Sequence, residues 1–134
     1  MVTLTVIEGI GKVFSEKLAK AGIRTIEQLL KEGATPAGRK AIAEQSGLDA
    51  KQILKWVNKA DLMRIKGIGS EFSDLLEAAG VDTVPELARR KAENLHEKMV
   101  ALNEAKKLVR RLPTVGMVEG WIMQAKALDR VITY

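Results

Sequence analysis

The sequence predicts an all-α fold of two pseudo-symmetric helical units packed as one compact helical body, residues 1–60 and 61–134, and three observations carry that reading. Residues 8–29 return at 66–87 without a gap, with ten of the 22 aligned positions identical: Gly, Ile, Gly, Phe, Ser, Leu, Ala, Gly, Thr and Leu. Repetition on that scale is the mark of a duplicated structural unit. Helix-opening signatures recur at matching places in both copies, and between them apolar residues return at helical rather than alternating spacing.

Taken in order, Val2, Leu4 and Val6 alternate for too short a run to make a strand and read as a lead-in to the first helix, which follows Gly11. Thr25-Ile26-Glu27-Gln28 and Thr83-Val84-Pro85-Glu86 both read as capping boxes, the Thr hydroxyl holding a backbone amide and the Gln or Glu reaching back. Thr35-Pro36 places a cap before a proline at the first helical position, and the helix it opens ends at Gly47. Asp49 starts the next, with Ile53, Leu54, Val57 and Ala60 on its apolar face. In the second half the pattern predicts a helix from about Leu95 to Arg111, a break at Pro113-Thr114, and a last helix from Val115 to Leu128. The repeat extends this far, because Trp56 and Trp121 stand in similar settings 65 residues apart, against 58 for the glycine motifs. The seven extra residues are expected to lengthen the helix before Pro113, and both Trp residues to pack into the core.

Gly9-Ile10-Gly11 and Gly67-Ile68-Gly69 each join a preceding segment to a helix, and each resembles the hairpin of the helix-hairpin-helix motif of DNA-binding proteins. The physical logic is that glycine permits a tight turn and a close backbone approach. The first amides of the following helix lack intrahelical partners and lie at the positive end of its dipole, where an anion is stabilised. The resemblance implies that the anion is a DNA backbone phosphate and that Ile10 and Ile68 point inward to brace the helices. Lys12 after the first hairpin suits this role; Ser70 and Glu71 after the second suit it less, since a carboxylate repels phosphate. Glu8 precedes the first hairpin and Lys66 the second. Locally, the hairpins are also similar to those of DNA-repair ligases, Holliday-junction proteins and the small domains of repair polymerases.

Over Ile7 to Leu128 the order of hairpin, capped helix, Trp-bearing helix, second hairpin and terminal Trp-bearing helix resembles a bacterial family known as domain of unknown function 4332. That resemblance implies the tandem all-helical architecture, without an activity. The expected setting is the cytoplasm of a prokaryote, in association with the nucleoid.

Composition narrows the chemistry. The chain has 134 residues, no cysteine and one histidine, His96, which excludes disulfides and thiolate metal sites and leaves too few nitrogen ligands for a metal centre. No cofactor is expected. His96 reads as an exposed residue near a helix start. No apolar run is long enough to span a membrane, and the first residues lack a basic signal-like stretch. The net charge of +5 is uneven, +4 over residues 1–60 and +1 over 61–134, with +5 concentrated in 89–111. Two basic rows follow from helical spacing: Lys51, Lys55 and Lys59, and Lys106, Lys107, Arg110 and Arg111 on one side of the long helix. Polyanion binding or a solvated face accounts for either row. Ala43 to Ile53 also has the spacing of a helix-turn-helix, but two helices joined at a glycine turn produce the same string.

No catalytic motif stands out, so the expected function is that of a binding module rather than an enzyme. Its expected role is nucleic-acid binding without sequence preference. DNA phosphates are held at Gly9, Ile10, Gly11 and Lys12 and at Gly67, Ile68, Gly69 and Ser70, with the basic rows as supporting surface. The alternative is a protein-interaction or scaffolding module in which the hairpins are structural. RNA or a protein partner stays open at this stage, as does the oligomeric state.

Overall fold

The computed structural model describes residues 3–7 and 9–134. Its described residues are all-helical: a 3₁₀ turn, Leu4–Val6, then α1 (Lys12–Lys20), α2 (Ile26–Glu32), α3 (Pro36–Ser46), α4 (Ala50–Leu62), α5 (Ser70–Ala78), α6 (Val84–Ala88), α7 (Ala92–Lys106) and α8 (Val115–Ala127). Val2, part of the alternation at the start, lies outside the described residues; Thr3 makes an isolated antiparallel bridge with Thr25. The chain divides into two compact units. One runs to Asp61 and takes in Val131–Tyr134, and the other is Leu62–Arg130.

In the first unit α1 packs on α3 and on the 3₁₀ turn, and α2 on α3. Leu4, Ile7, Leu18, Ile23, Leu29, Ile53, Trp56 and Val57 are buried in it. The Thr25 hydroxyl accepts from the Gln28 amide at 3.1 Å, and the Gln28 side chain reaches back to the Arg24 amide at 2.7 Å, one residue before the cap. Thr35 caps α3 through the Gly38 amide at 3.0 Å. Asp49 accepts from the Lys51 amide at 3.1 Å at the start of α4.

The last four residues are tied to this unit by Arg39. Its guanidinium donates to the Gly33 carbonyl and to the Thr133 carbonyl, both at 2.8 Å, and lies 5.9 Å from the centre of the Tyr134 ring. The Thr133 amide donates to the Ala34 carbonyl at 2.8 Å, and Ile132 is buried. Burial pushes the Arg39 pKa below its ordinary value, with Tyr134 acting in the opposite direction. Arg39→Met keeps the buried stem but leaves two carbonyls without their charged donor. A loss of about 2 kcal/mol in urea unfolding is expected; an unchanged midpoint would show that the tail adds nothing to the unit.

In the second unit α8 packs on α6 and α7, and α5 on α7. One cluster, including Leu75, Leu76, Val84, Leu87, Leu95, Met99, Val118 and Trp121, forms its core. Here four expectations are corrected. Thr83 makes no side-chain cap, and the Glu86 side chain faces Arg89 and Arg90 at 3.6 and 3.7 Å instead of reaching back to complete a capping box.

The long helix stops at Lys106, not Arg111. Lys107 takes a left-handed conformation, φ 50°, and the Asn103 side chain brackets Val109, accepting from its amide at 2.9 Å and donating to its carbonyl at 3.2 Å. A side chain that satisfies both polar groups of Val109 competes directly with continued helix. The seven-residue difference is shared: α7 is four residues longer than α3 and the loop 107–114 five longer than 47–49, while α6 is two residues shorter than α2. His96 is half-buried in the second turn of α7, its Nε2 2.8 Å from the Pro113 carbonyl, and so helps seat that loop.

Candidate functional site

Each hairpin is a four-residue turn closed by a backbone bond from its fourth residue to its first. The Ile10 amide donates to the Ile7 carbonyl at 3.1 Å, and the Ile68 amide to the Ile65 carbonyl at 3.2 Å. Gly9 and Gly67 hold the third position with φ 95° and 98°, the left-handed value that a type II turn requires there. Both flanking isoleucines of each turn are buried: Ile7 and Ile10 in one, Ile65 and Ile68 in the other. Their burial pins the turn, leaving the glycine backbone between them on the outside. Glu8, the second residue of the first turn, lies outside the described residues.

The second glycines do a different job. Gly11 and Gly69 are the N-caps of α1 and α5, with extended backbone (φ −90° and −98°), and neither helix start receives a side-chain cap. A Cβ at either position would meet nothing within 4 Å. Neither amide has an acceptor among the described residues. Both helix starts are thus open to solvent, with first-turn amides lacking intrahelical partners. The electrostatics differ as the residues suggest: the first turn of α1 holds Lys12 and no acid, whereas that of α5 holds Glu71. Lys12 and Glu71 are exposed, and Ser70 is half-buried and already engaged within the chain.

Beneath each turn stands a tryptophan. Trp56 and Trp121 are each the seventh residue of a 13-residue helix, and are 1% and 3% exposed. Such burial removes their ring faces from base stacking. Phe14 covers Trp56 with ring centres 5.3 Å apart and planes at 56°; Phe72 covers Trp121 at 5.2 Å and 49°. These tilted pairs supply packing beyond the area they bury. In the second unit Gln124 adds a two-point grip on the hairpin, accepting from the Lys66 amide at 3.0 Å and donating to the Lys66 carbonyl at 3.2 Å.

Sequence reasoning missed Ile7 and Ile65 as turn supports, although they are identical and share the 58-residue offset just outside the aligned window. Gln124 had no such signal, since its counterpart three residues after Trp56 is Lys59.

The basic rows are less regular than helical spacing predicts. Lys51 and Lys55 are exposed on α4, but Lys59 is half-buried and already engaged within the chain. Lys106, Lys107, Arg110 and Arg111 are all exposed, yet only Lys106 is on α7; they follow a helix end and loop, not one helix face. A groove of about 360 Å³ also opens in the second unit, where Arg90 and Lys91 before α7 face Glu119, Ile122, Met123 and Lys126 on α8. Met123 is 73% exposed there.

No helix of the described residues is long and apolar enough to cross a membrane. No group of three or more metal-ligating side chains occurs among them. Neither a curated protein nor a solved structure matches the chain. A family model does, over residues 8–128, a span that holds both Gly-Ile-Gly motifs and both Trp helices. The chain belongs to the family described as domain of unknown function DUF4332.

Proposed function

We propose that this protein binds nucleic acid, with DNA as the favoured form, by holding backbone phosphates at its glycine hairpins without reading base sequence. The observation that carries the reading is the repeated pair of uncapped helix starts, Gly11 before α1 and Gly69 before α5, each presented by a turn pinned from below. Uncapped amides at a helix start favour an anion through both hydrogen bonding and the helix dipole. Gly9, Ile10, Gly11 and Lys12 form the stronger site, and Gly67, Ile68, Gly69 and Ser70 the weaker. The exposed cations Lys51, Lys55, Lys106, Lys107, Arg110 and Arg111 supply additional charge. On this reading the chain is a binding module, not an enzyme, and works beside the nucleoid in the cytoplasm.

Fluorescence anisotropy with labelled duplex, single-stranded and branched DNA, and with duplex RNA, tests the proposal. Duplexes of unrelated sequence should bind within a few-fold of one another, and affinity should fall steeply with salt. No binding at about 50 mM salt overturns it. In the same assay Lys12→Glu should weaken binding more than Ser70→Glu, and Glu71→Lys should strengthen it; equal losses at the two hairpins would remove the ranking.

A second reading, a protein-docking module, has one observation in its favour. Met123 projects beside Ile122 in a groove flanked by Arg90, Lys91 and Lys126, and an exposed thioether adapts readily to a partner surface. Met123→Glu should abolish such docking and leave DNA affinity within a few-fold of the parent.

A further inference from the structure

Buried tryptophans ordinarily find a partner for the indole N–H. Here neither Trp56 Nε1 nor Trp121 Nε1 has a hydrogen-bond acceptor among the described residues, although both side chains are more than nine-tenths buried. Among the described residues no fully buried side-chain nitrogen or oxygen lacks a partner, so both indole nitrogens keep an edge that solvent or a ligand reaches. Their location is the same in each unit. A Cβ built on Gly67 would come within 2.9 Å of Trp121 Nε1, and one on Gly9 would lie 3.9 Å from Trp56 Nε1. Each nitrogen therefore comes up against the third residue of its hairpin turn, and glycine there leaves the nitrogen uncovered.

From this we infer that the indole N–H groups of Trp56 and Trp121 are further donors of the phosphate sites, joining the amides of Gly11 and Gly69 in holding one anionic oxygen group at each hairpin. The inference rests on the hairpin-phosphate reading and deepens it. A donor at the rim of the core that the protein itself leaves to solvent is available to a ligand, and a charged oxygen is the strongest acceptor it can take. Recurrence of the arrangement beneath two hairpins separates it from a chance gap in packing. The aromatic cover by Phe14 and Phe72 holds each indole in place, so the donor is already oriented when the ligand binds.

Because the chain has two tryptophans, a ¹⁵N-edited proton spectrum of the whole protein resolves one indole resonance for each. The probes are a short mixed-sequence duplex and, in a separate titration, inorganic phosphate. Wherever the Gly11 or Gly69 amide shifts and saturates, the indole proton of the same unit should move downfield with it, at the same midpoint. A response to duplex alone identifies backbone phosphate as the source; an equal response to inorganic phosphate identifies free phosphate.

Glycine amides that shift while both indoles stay fixed would overturn this inference and leave the hairpin reading intact. Silence of the amides and the indoles alike would overturn both. Trp121→Phe and Trp56→Phe retain an aromatic ring while removing the donor together with part of the indole's buried volume. Where the variant keeps the parent's amide spectrum outside the hairpin, binding at that hairpin should weaken roughly tenfold. Unchanged affinity in such a folded variant overturns the donor role.

Discussion

Gly67→Ala should destabilise the second unit by about 3 kcal/mol. Two costs combine at that position. The turn holds φ at 98°, which a Cβ resists by about 1–2 kcal/mol, and the added carbon would meet Trp121 Nε1 at 2.9 Å. The indole cannot retreat easily, since Phe72 lies against it and the ring is 3% exposed. Gly9→Ala makes the comparison, because its φ of 95° is nearly the same while its Cβ would sit at an ordinary 3.9 Å from Trp56 Nε1. Only the conformational cost, about 1–2 kcal/mol, is expected there. Hydrogen exchange of the α5 and α8 amides in Gly67→Ala, and of the α1 and α4 amides in Gly9→Ala, measures both. Equal losses would mean that the indole contact contributes nothing to the difference.

The double change Gly11→Asp and Gly69→Asp should abolish most DNA binding, by roughly a hundredfold at low salt, while stability holds or rises by a few tenths of a kcal/mol. Both positions have extended backbone and open space for a side chain, so no clash or conformational penalty arises. An aspartate at an N-cap bonds the helix's own amides and occupies the anion's place with a fixed negative charge. Anisotropy and urea unfolding on the same preparation separate the two effects. A stable variant that binds DNA as the parent does would assign the hairpins to structure alone and leave the docking reading standing. Such a variant is informative only because the structure assigns different jobs to the two glycines of each motif. The turn depends on Gly9, so a substitution at Gly11 reaches the site without damaging the turn.

Much of this protein is determined by local signals within the chain. The helix starts at Thr25, Thr35, Asp49 and Thr114, the stop at Gly47, the buried Ile10 and Ile68, and the matching places of Trp56 and Trp121 follow from residue type and spacing. Capping, helical period and a long internal repeat act over a few residues each, and so can be read without knowing what lies nearby in space. What the tertiary structure alone decided depends on groups brought together from far along the chain or competing for one partner. The Thr83 capping box does not close, and its Glu86 faces two arginines instead; the long helix ends early because the Asn103 side chain takes both polar groups of Val109. The basic stripe dissolves with that helix, since spacing places side chains on one face only while the helix lasts. Arg39 reaches Thr133 across 94 residues, Gln124 grips Lys66 across 58, and the two indole nitrogens come to rest under glycines that nothing in the sequence connects to them. A repeat shows that two segments fold alike, but which atoms they press against is settled only when the core closes around them.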